Sequence, residues 1–199
     1  MLELLELILT TSLWAAVVRI ATPLIFATLG ELICERAGVL NLGIEGIMTI
    51  GAMAGWLWVY QGGDLWGGVV FAALVGMLFG LLHSILVVYL GLSQHVSGIG
   101  ITMLASSISY YAYTMIIPFS TTPPKIVAFS AFEVPLLSSI PIIGGAFFNQ
   151  TALTYLAYIL VIVTFYVLYK MPLGLTIRMA GENPVANEAQ GINVLLIRT

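Results

Sequence analysis

Five long apolar runs, separated by short polar interruptions, decide what this chain can fold into. A helix that crosses a bilayer needs about 20 mainly apolar residues. The runs lie approximately at Leu13–Leu29, Leu40–Tyr60, Leu65–Leu90, Val96–Ile117 and Ala152–Tyr169. Lipid offers the backbone no hydrogen-bond partner, so such runs must satisfy their own amides as helices. The expectation is an all-α fold, a polytopic transmembrane helix bundle of five spans. Composition agrees: 60% of the 199 residues are hydrophobic and 8% charged, where a soluble domain carries about 25% charged residues. No composition shift marks a second folded domain, so 1–199 reads as one membrane domain.

Between the last two runs, residues 118–151 carry Pro123, Pro124, Pro135 and Pro141 and cannot continue a helix. This is the main loop. Five spans put the chain ends on opposite sides, and lysine and arginine choose between the two topologies. A cytoplasmic tail at 170–199 collects Lys170, Arg178 and Arg198, with Arg36 from the first loop, against Lys125 outside. The N-terminus and loop 118–151 are then extracytoplasmic. Residues 1–12 fit a short interfacial helix on the outer surface, with Leu2, Leu5 and Leu9 on one face. Acidic residues before the first run, and the lack of a small-residue cleavage pattern, argue against a removable signal peptide.

Several chemistries find no support. The formal net charge is −3 and no basic patch exists, which argues against nucleic-acid binding. Cys34 is the only cysteine, and His83 and His95 are too far apart to form a metal pair on one helix turn. No metal or bound cofactor is expected.

Polar residues within or beside the apolar runs are the candidates for function. The stretch 47–60 makes only about 21 Å of helix against a hydrocarbon core of about 30 Å. The second span must therefore begin near Leu40, which draws Asn41 and Glu45 toward the membrane on a backbone loosened by Gly38, Gly43 and Gly46. A broken helix beside a transport path is one reading; a solvated loop is the other. Arg19 stands inside the first run, ahead of Pro23, either paired or hydrated within the membrane or snorkelling to the outer interface. In the fourth run Thr102, Ser106, Ser109 and Tyr113 share one helical face, and Ser97 extends the question to its head. That stripe could line a pathway for a polyol or heterocycle, or bond neighbouring helices. In the third run Gly68, Ala72, Gly76, Gly80 and Ser84 recur every fourth position, a face suited to close packing, and His83 beside it suits an interhelical hydrogen bond.

The tail is polar by comparison. Asn183 can cap a helix, Pro184 suits its first position, and Gly191 suits the residue past its end. The signals mark a helix of about two turns over Pro184–Gln190, too short to stand alone in water, which must pack on a partner or on the ends of the chain's own spans.

Three stretches carry a resemblance to a known family. Gly38-Val-Leu-Asn-Leu-Gly-Ile-Glu-Gly46, preceded by Glu35 and Arg36, is similar to the signature loop of permease subunits of bacterial nucleoside and simple-sugar ABC importers, in the branched-chain amino acid and ribose permease superfamily. Gln94-His-Val-Ser-Gly98 is a second match. Gly174-Leu-Thr-Ile-Arg178, Gly181-Glu-Asn-Pro184, Ala186 and Gly191-Ile-Asn-Val194 resemble the family's cytoplasmic coupling helix. The resemblance implies a permease of the bacterial cell membrane that provides the pathway for nucleosides, with simple sugars as the alternative. It implies a separate cytoplasmic ATPase docking at Arg178, Gly181, Glu182, Asn183, Pro184, Ala186, Gly191 and Asn193. A second permease subunit and an extracytoplasmic substrate-binding protein complete the implied complex. The chain has no phosphate loop of the G-x-x-x-x-G-K-[ST] type, so ATP is expected to be used by the partner. Permeases of the family continue with more spans after the coupling helix, so the chain is expected to be an N-terminal portion. A secondary transporter or channel, or a membrane scaffold subunit, are the readings from other classes.

Overall fold

A computed structural model describes residues 10–117, 124–135, 137, 138, 140 and 143–199. They form two compact units, one made of residues up to 30 with 129–167, the other of 31–128 with 168–199.

Helix α1 spans Thr11–Arg36, running on past the expected end at Leu29. Of the expected interfacial segment 1–12, only 10–12 are described, and Thr11 already opens α1. Helices α2 (Ile44–Tyr60), α3 (Leu65–Ser84) and α4 (Gln94–Ile116) follow, with a π-helical turn at Ile85–Tyr89 extending α3. After the long loop comes α6 (Ala152–Lys170), preceded by a short α5 (Ile143–Phe147). Three of these helices, Thr11–Arg36, Leu65–Tyr89 and Ala152–Lys170, are long and apolar enough to cross a membrane. Their apolar side chains point outward: Ile20 is 69%, Met77 61% and Ile162 69% exposed. Such surface is stable only in a nonpolar solvent. The chain is a multi-pass helical membrane protein.

The other two expected spans are helical but carry weaker signals. Helix α2 has 17 residues, about 26 Å of rise. It begins at Ile44 rather than near Leu40, because residues 37–43 form turns. Helix α4 has 23 residues, and its own hydroxyls dilute its hydropathy.

In the larger unit small residues set the packing. Gly68 and Gly55 meet backbone to backbone, since a Cβ on Gly68 would lie 3.0 Å from the Gly55 carbonyl oxygen. Gly51 and Gly76 lie in ordinary contact range of Ala72 and Ile47, whereas nothing stands within 4 Å of a Cβ on Gly80. The small-residue stripe therefore packs α3 on α2 over its first half. Helix α4 crosses α2 still more closely, and a Cβ on Gly46 would fall on Thr102 Cα.

In the smaller unit the proline-rich loop holds a hairpin that three-residue strands are too short to announce by periodicity. Strand β1 (Ala131–Glu133) pairs antiparallel with β2 (Asn149–Thr151), Phe132 opposite Gln150. The Tyr155 hydroxyl donates to the Phe132 carbonyl at 2.9 Å. Gln150, 1% exposed, donates through Nε2 to the carbonyls of Ala146 and Ala15. A hydroxyl chain joins α1 to α6. Thr22 donates to the Val18 carbonyl, so its one proton is committed and Thr154, 3.0 Å away, must donate to Thr22. Thr151 then donates to Thr154 at 3.3 Å.

Candidate functional site

Helix α1 ends in a Schellman motif: Gly38 takes φ +87°, its N–H reaches the Glu35 carbonyl, and the Val39 N–H reaches that of Cys34. The chain then runs through 39–43 without helical hydrogen bonding, so its amides need other partners. Side chains from three helices supply them. The Leu40 N–H donates to Gln94 Oε1 at 2.8 Å, and His83 Nε2 donates to the Leu40 carbonyl at 3.3 Å. The Asn41 N–H donates to Glu31 Oε1 at 2.9 Å. Asn41 Oδ1 accepts from the Gly43 N–H, and Thr102 donates to the Leu42 carbonyl. Leu42 and Gly43 lie against Gly98, where a Cβ would come within 2.8 Å of Leu42 Cβ. The irregular stretch is thus a defined turn, fastened to α1, α3 and α4.

Two of these fasteners, Glu31 and Gln94, are long polar side chains whose role no periodicity shows. Glu31 was hidden by the expectation that the first helix stops at Leu29; Gln94 lay within a recognised motif. His83, 2% exposed, hydrogen-bonds the turn at Leu40 and not a neighbouring helix. Its Nδ1, the Ser84 hydroxyl and Glu31 Oε2 are buried without a partner among the described residues.

The expected pathway residues are dispersed. Arg19 is exposed on α1, in the smaller unit. Asn41 is half-buried and closes its own turn, and Glu45 is exposed on the first turn of α2. On α4 the buried face is Ser97, Gly98, Ile101, Ala105 and Ser109. Of the hydroxyl stripe only Ser109 belongs to that face, while Thr102, Ser106 and Tyr113 flank it. Ser109 donates to its own helix at the Ala105 carbonyl, Thr102 and Ser106 are half-buried, and Tyr113 is exposed beside Trp56. Ser97 lines an apolar groove of about 460 Å³ between the end of α3 and the head of α4, with Leu82, Leu86, Val96, Gly100 and Leu104. Among the described residues no group of three His, Cys, Asp or Glu is placed to hold a metal ion.

The tail contains more than the single helix expected of it. Helix α7 (Pro172–Glu182) precedes α8 (Pro184–Ala189), and α9 (Val194–Arg198) follows. Helix α8 ends as the sequence implies. Asn183 Oδ1 accepts from the Ala186 N–H at 3.1 Å, Pro184 opens the helix, and Gly191 at φ +78° closes it in a second Schellman motif. It does not stand alone: Asn187, fully buried, donates through Nδ2 to the Thr176 carbonyl of α7 at 3.0 Å. Asn193 caps α9 through the Leu196 N–H. Arg178 lies half-buried with its guanidinium 5.3 Å from the Tyr169 ring centroid, and Glu182 is exposed. Gly181 lies against Arg36 and Gly38.

A multi-pass membrane protein with a fastened interhelical turn and a tail of short capped helices is the class defined so far. Residues 13–199 match the family model described as the permease component of the branched-chain amino acid transport system, and the chain belongs to that family. It is 37% identical over 185 residues to a nucleoside ABC transporter permease protein, NupC, of Lactococcus lactis subsp. cremoris, covering 89% of this chain and 58% of the relative. It is 36% identical to the guanosine ABC transporter permease protein NupQ of Bacillus subtilis, covering 89% and 58%. A putative glucose ABC transporter permease protein of Haloferax volcanii, TsgC13, is also 36% identical, covering 92% and 55%. The chain thus spans less than two thirds of the length of these relatives. No solved structure matches it.

Proposed function

We propose that this chain is part of a permease subunit of an ATP-driven importer, and that it contributes to the pathway for nucleosides. The tail carries the reading: α8 is capped at both ends, anchored by Asn187 to α7, and presents Val185 71% exposed. A short helix so supported, with an exposed apolar residue, is suited to receive a partner protein. The partner is a cytoplasmic ABC ATPase, which alone uses ATP, contacting Arg178, Gly181, Glu182, Asn183, Pro184, Ala186, Gly191 and Asn193. A second permease subunit and an extracytoplasmic binding protein complete the assembly, the latter facing the hairpin loop. The architecture is five spans, with α2 entering the membrane through the turn at 37–43 and the tail on the cytoplasmic side. Arg19, Asn41, Glu45, Ser97, Thr102, Ser106, Ser109 and Tyr113 are the pathway candidates, of which Arg19, Glu45 and Tyr113 are exposed.

The nucleoside assignment is supported by the names of two relatives; the glucose name of a third favours a sugar as the second reading. Uptake of labelled nucleosides and simple sugars by cells carrying the full transporter, with and without its ATPase, tests both. Nucleoside uptake that needs the ATPase is the expected result. Uptake independent of the ATPase would make the protein a secondary carrier, and sugar uptake alone would exchange the two substrate readings.

A further inference from the structure

Arg198 bonds two helix ends that are far apart in sequence. Its Nε donates to the Ala37 carbonyl at 3.0 Å and its Nη2 to the Ala180 carbonyl at 2.8 Å. Ala37 is 4% exposed and Ala180 fully buried, and both carbonyls lie at C-terminal helix ends, where the helix itself supplies no donor. The guanidinium meets this need with donors in a fixed planar fork. Next to it the backbones touch. A Cβ on Gly181 would lie 2.5 Å from the Arg36 carbonyl oxygen, and one on Gly38 would lie 3.0 Å from Gly181 Cα.

We infer that Arg198, with the Gly38–Gly181 contact, is the joint through which movement of the tail is passed to the turn at 37–43. The inference rests on the ATPase-docking reading of the tail. The glycine contact leaves no space to close, so it carries a push. The two charge-assisted hydrogen bonds resist separation, so they carry a pull. Beyond Gly38 the chain enters Leu40 and Asn41, whose backbone groups Gln94, His83 and Glu31 tie to α4, α3 and α1. A displacement of α7–α9 therefore reaches three of the long helices through this turn, beside the direct contact of the Thr199 hydroxyl with Tyr89 at the end of α3, and Arg198 acts as a positioning residue.

Cys34, the chain's one cysteine and half-buried, accepts the Val39 N–H at its carbonyl and reports on the turn. The test uses the full transporter with its ATPase, as wild type, R198A and R198K. Cys34 alkylation is followed in the nucleotide-free and vanadate-trapped states, beside ATPase pull-down and uptake per ATP hydrolysed. In the wild type the alkylation rate should differ between the two states. R198A should bind the ATPase normally, lose that difference, and lower uptake per ATP about tenfold, within the usual range of coupling between sites. R198K, which keeps the charge without the fork, should fall between. Should R198A fail to accumulate in the membrane, R198K with full coupling overturns the joint. An unresponsive Cys34 in the wild type, unchanged coupling in R198A, or loss of ATPase binding in R198A would each overturn it as well, the last by making the arginine part of the docking surface. A wild-type permease that neither binds the ATPase nor takes up solute would instead overturn the functional reading itself.

Discussion

Glu31 and His83 hold opposite ends of one peptide unit: the Leu40 carbonyl accepts from His83 Nε2, and the Asn41 N–H of the same unit donates to Glu31 Oε1. A trans peptide is rigid, so two side chains from α1 and α3 fix its orientation. The turn of the signature stretch is thereby a structural joint between helices, whatever passes beside it.

Removing the carboxylate should leave the Asn41 amide without its acceptor. E31A should cost about 1–3 kcal/mol of stability, read by denaturant titration of the purified protein in detergent. E31Q keeps an acceptor oxygen and should lose less. Equal losses in the two variants would show that the bond to Asn41 contributes nothing.

Two glycines on neighbouring helices should respond in opposite ways to alanine. G46A places a methyl on Thr102 Cα and should destabilise by about 1–3 kcal/mol through overpacking. G80A meets open space and should be neutral or stabilise by up to about 1 kcal/mol, the helix-propensity difference. Thermal unfolding of both variants under one detergent condition checks the pair.

Asn187 should govern the rigidity of the tail. N187A removes the bond from a fully buried side chain to the Thr176 carbonyl. Amide exchange over α7 and α8 should then accelerate about tenfold or more, as expected when a buried side chain loses its hydrogen bond. Weaker ATPase pull-down should accompany it. Unchanged exchange would assign the stability of α8 to its caps alone.

The hydroxyl chain joining α1 and α6 can be measured by a double-mutant cycle of Thr22→Val and Thr154→Val. The direct bond at 3.0 Å should appear as a coupling of about 0.6 kcal/mol, the average for interhelical hydrogen bonds in membranes. Strict additivity would mean that each hydroxyl finds another partner when its neighbour is removed.

Much of this was legible in the residues. Apolar run length gave helices at all five expected places, because a hydrocarbon solvent makes helix formation obligatory. The Asn183, Pro184 and Gly191 signals placed α8 and its Schellman end, since capping is a local matter of backbone donors and of φ. Other features were hidden for equally physical reasons. The first helix runs on past the apolar stretch to Arg36, and Glu31 on that extension meets an amide donor ten positions on. Helix α7 was missed although its apolar and polar residues segregate onto two faces, because the capping signals at Asn183 and Pro184 drew the reading to the next helix. The hydroxyls of α4 read as one stripe, yet they are used separately: Thr102 meets Gly46 and Leu42, Ser109 bonds its own helix, and Tyr113 stands beside Trp56.

By itself, then, the sequence determined the solvent, the five long helices and the caps of α8, which depend on transfer free energy and on neighbours within about a turn of chain. Only the tertiary structure decided how the polar remainder is used. Glu31, His83 and Gln94 converge on Leu40 and Asn41, and Arg198 reaches Ala37 across 161 positions. A buried backbone group must be satisfied, but which distant side chain satisfies it is settled only when the helices pack.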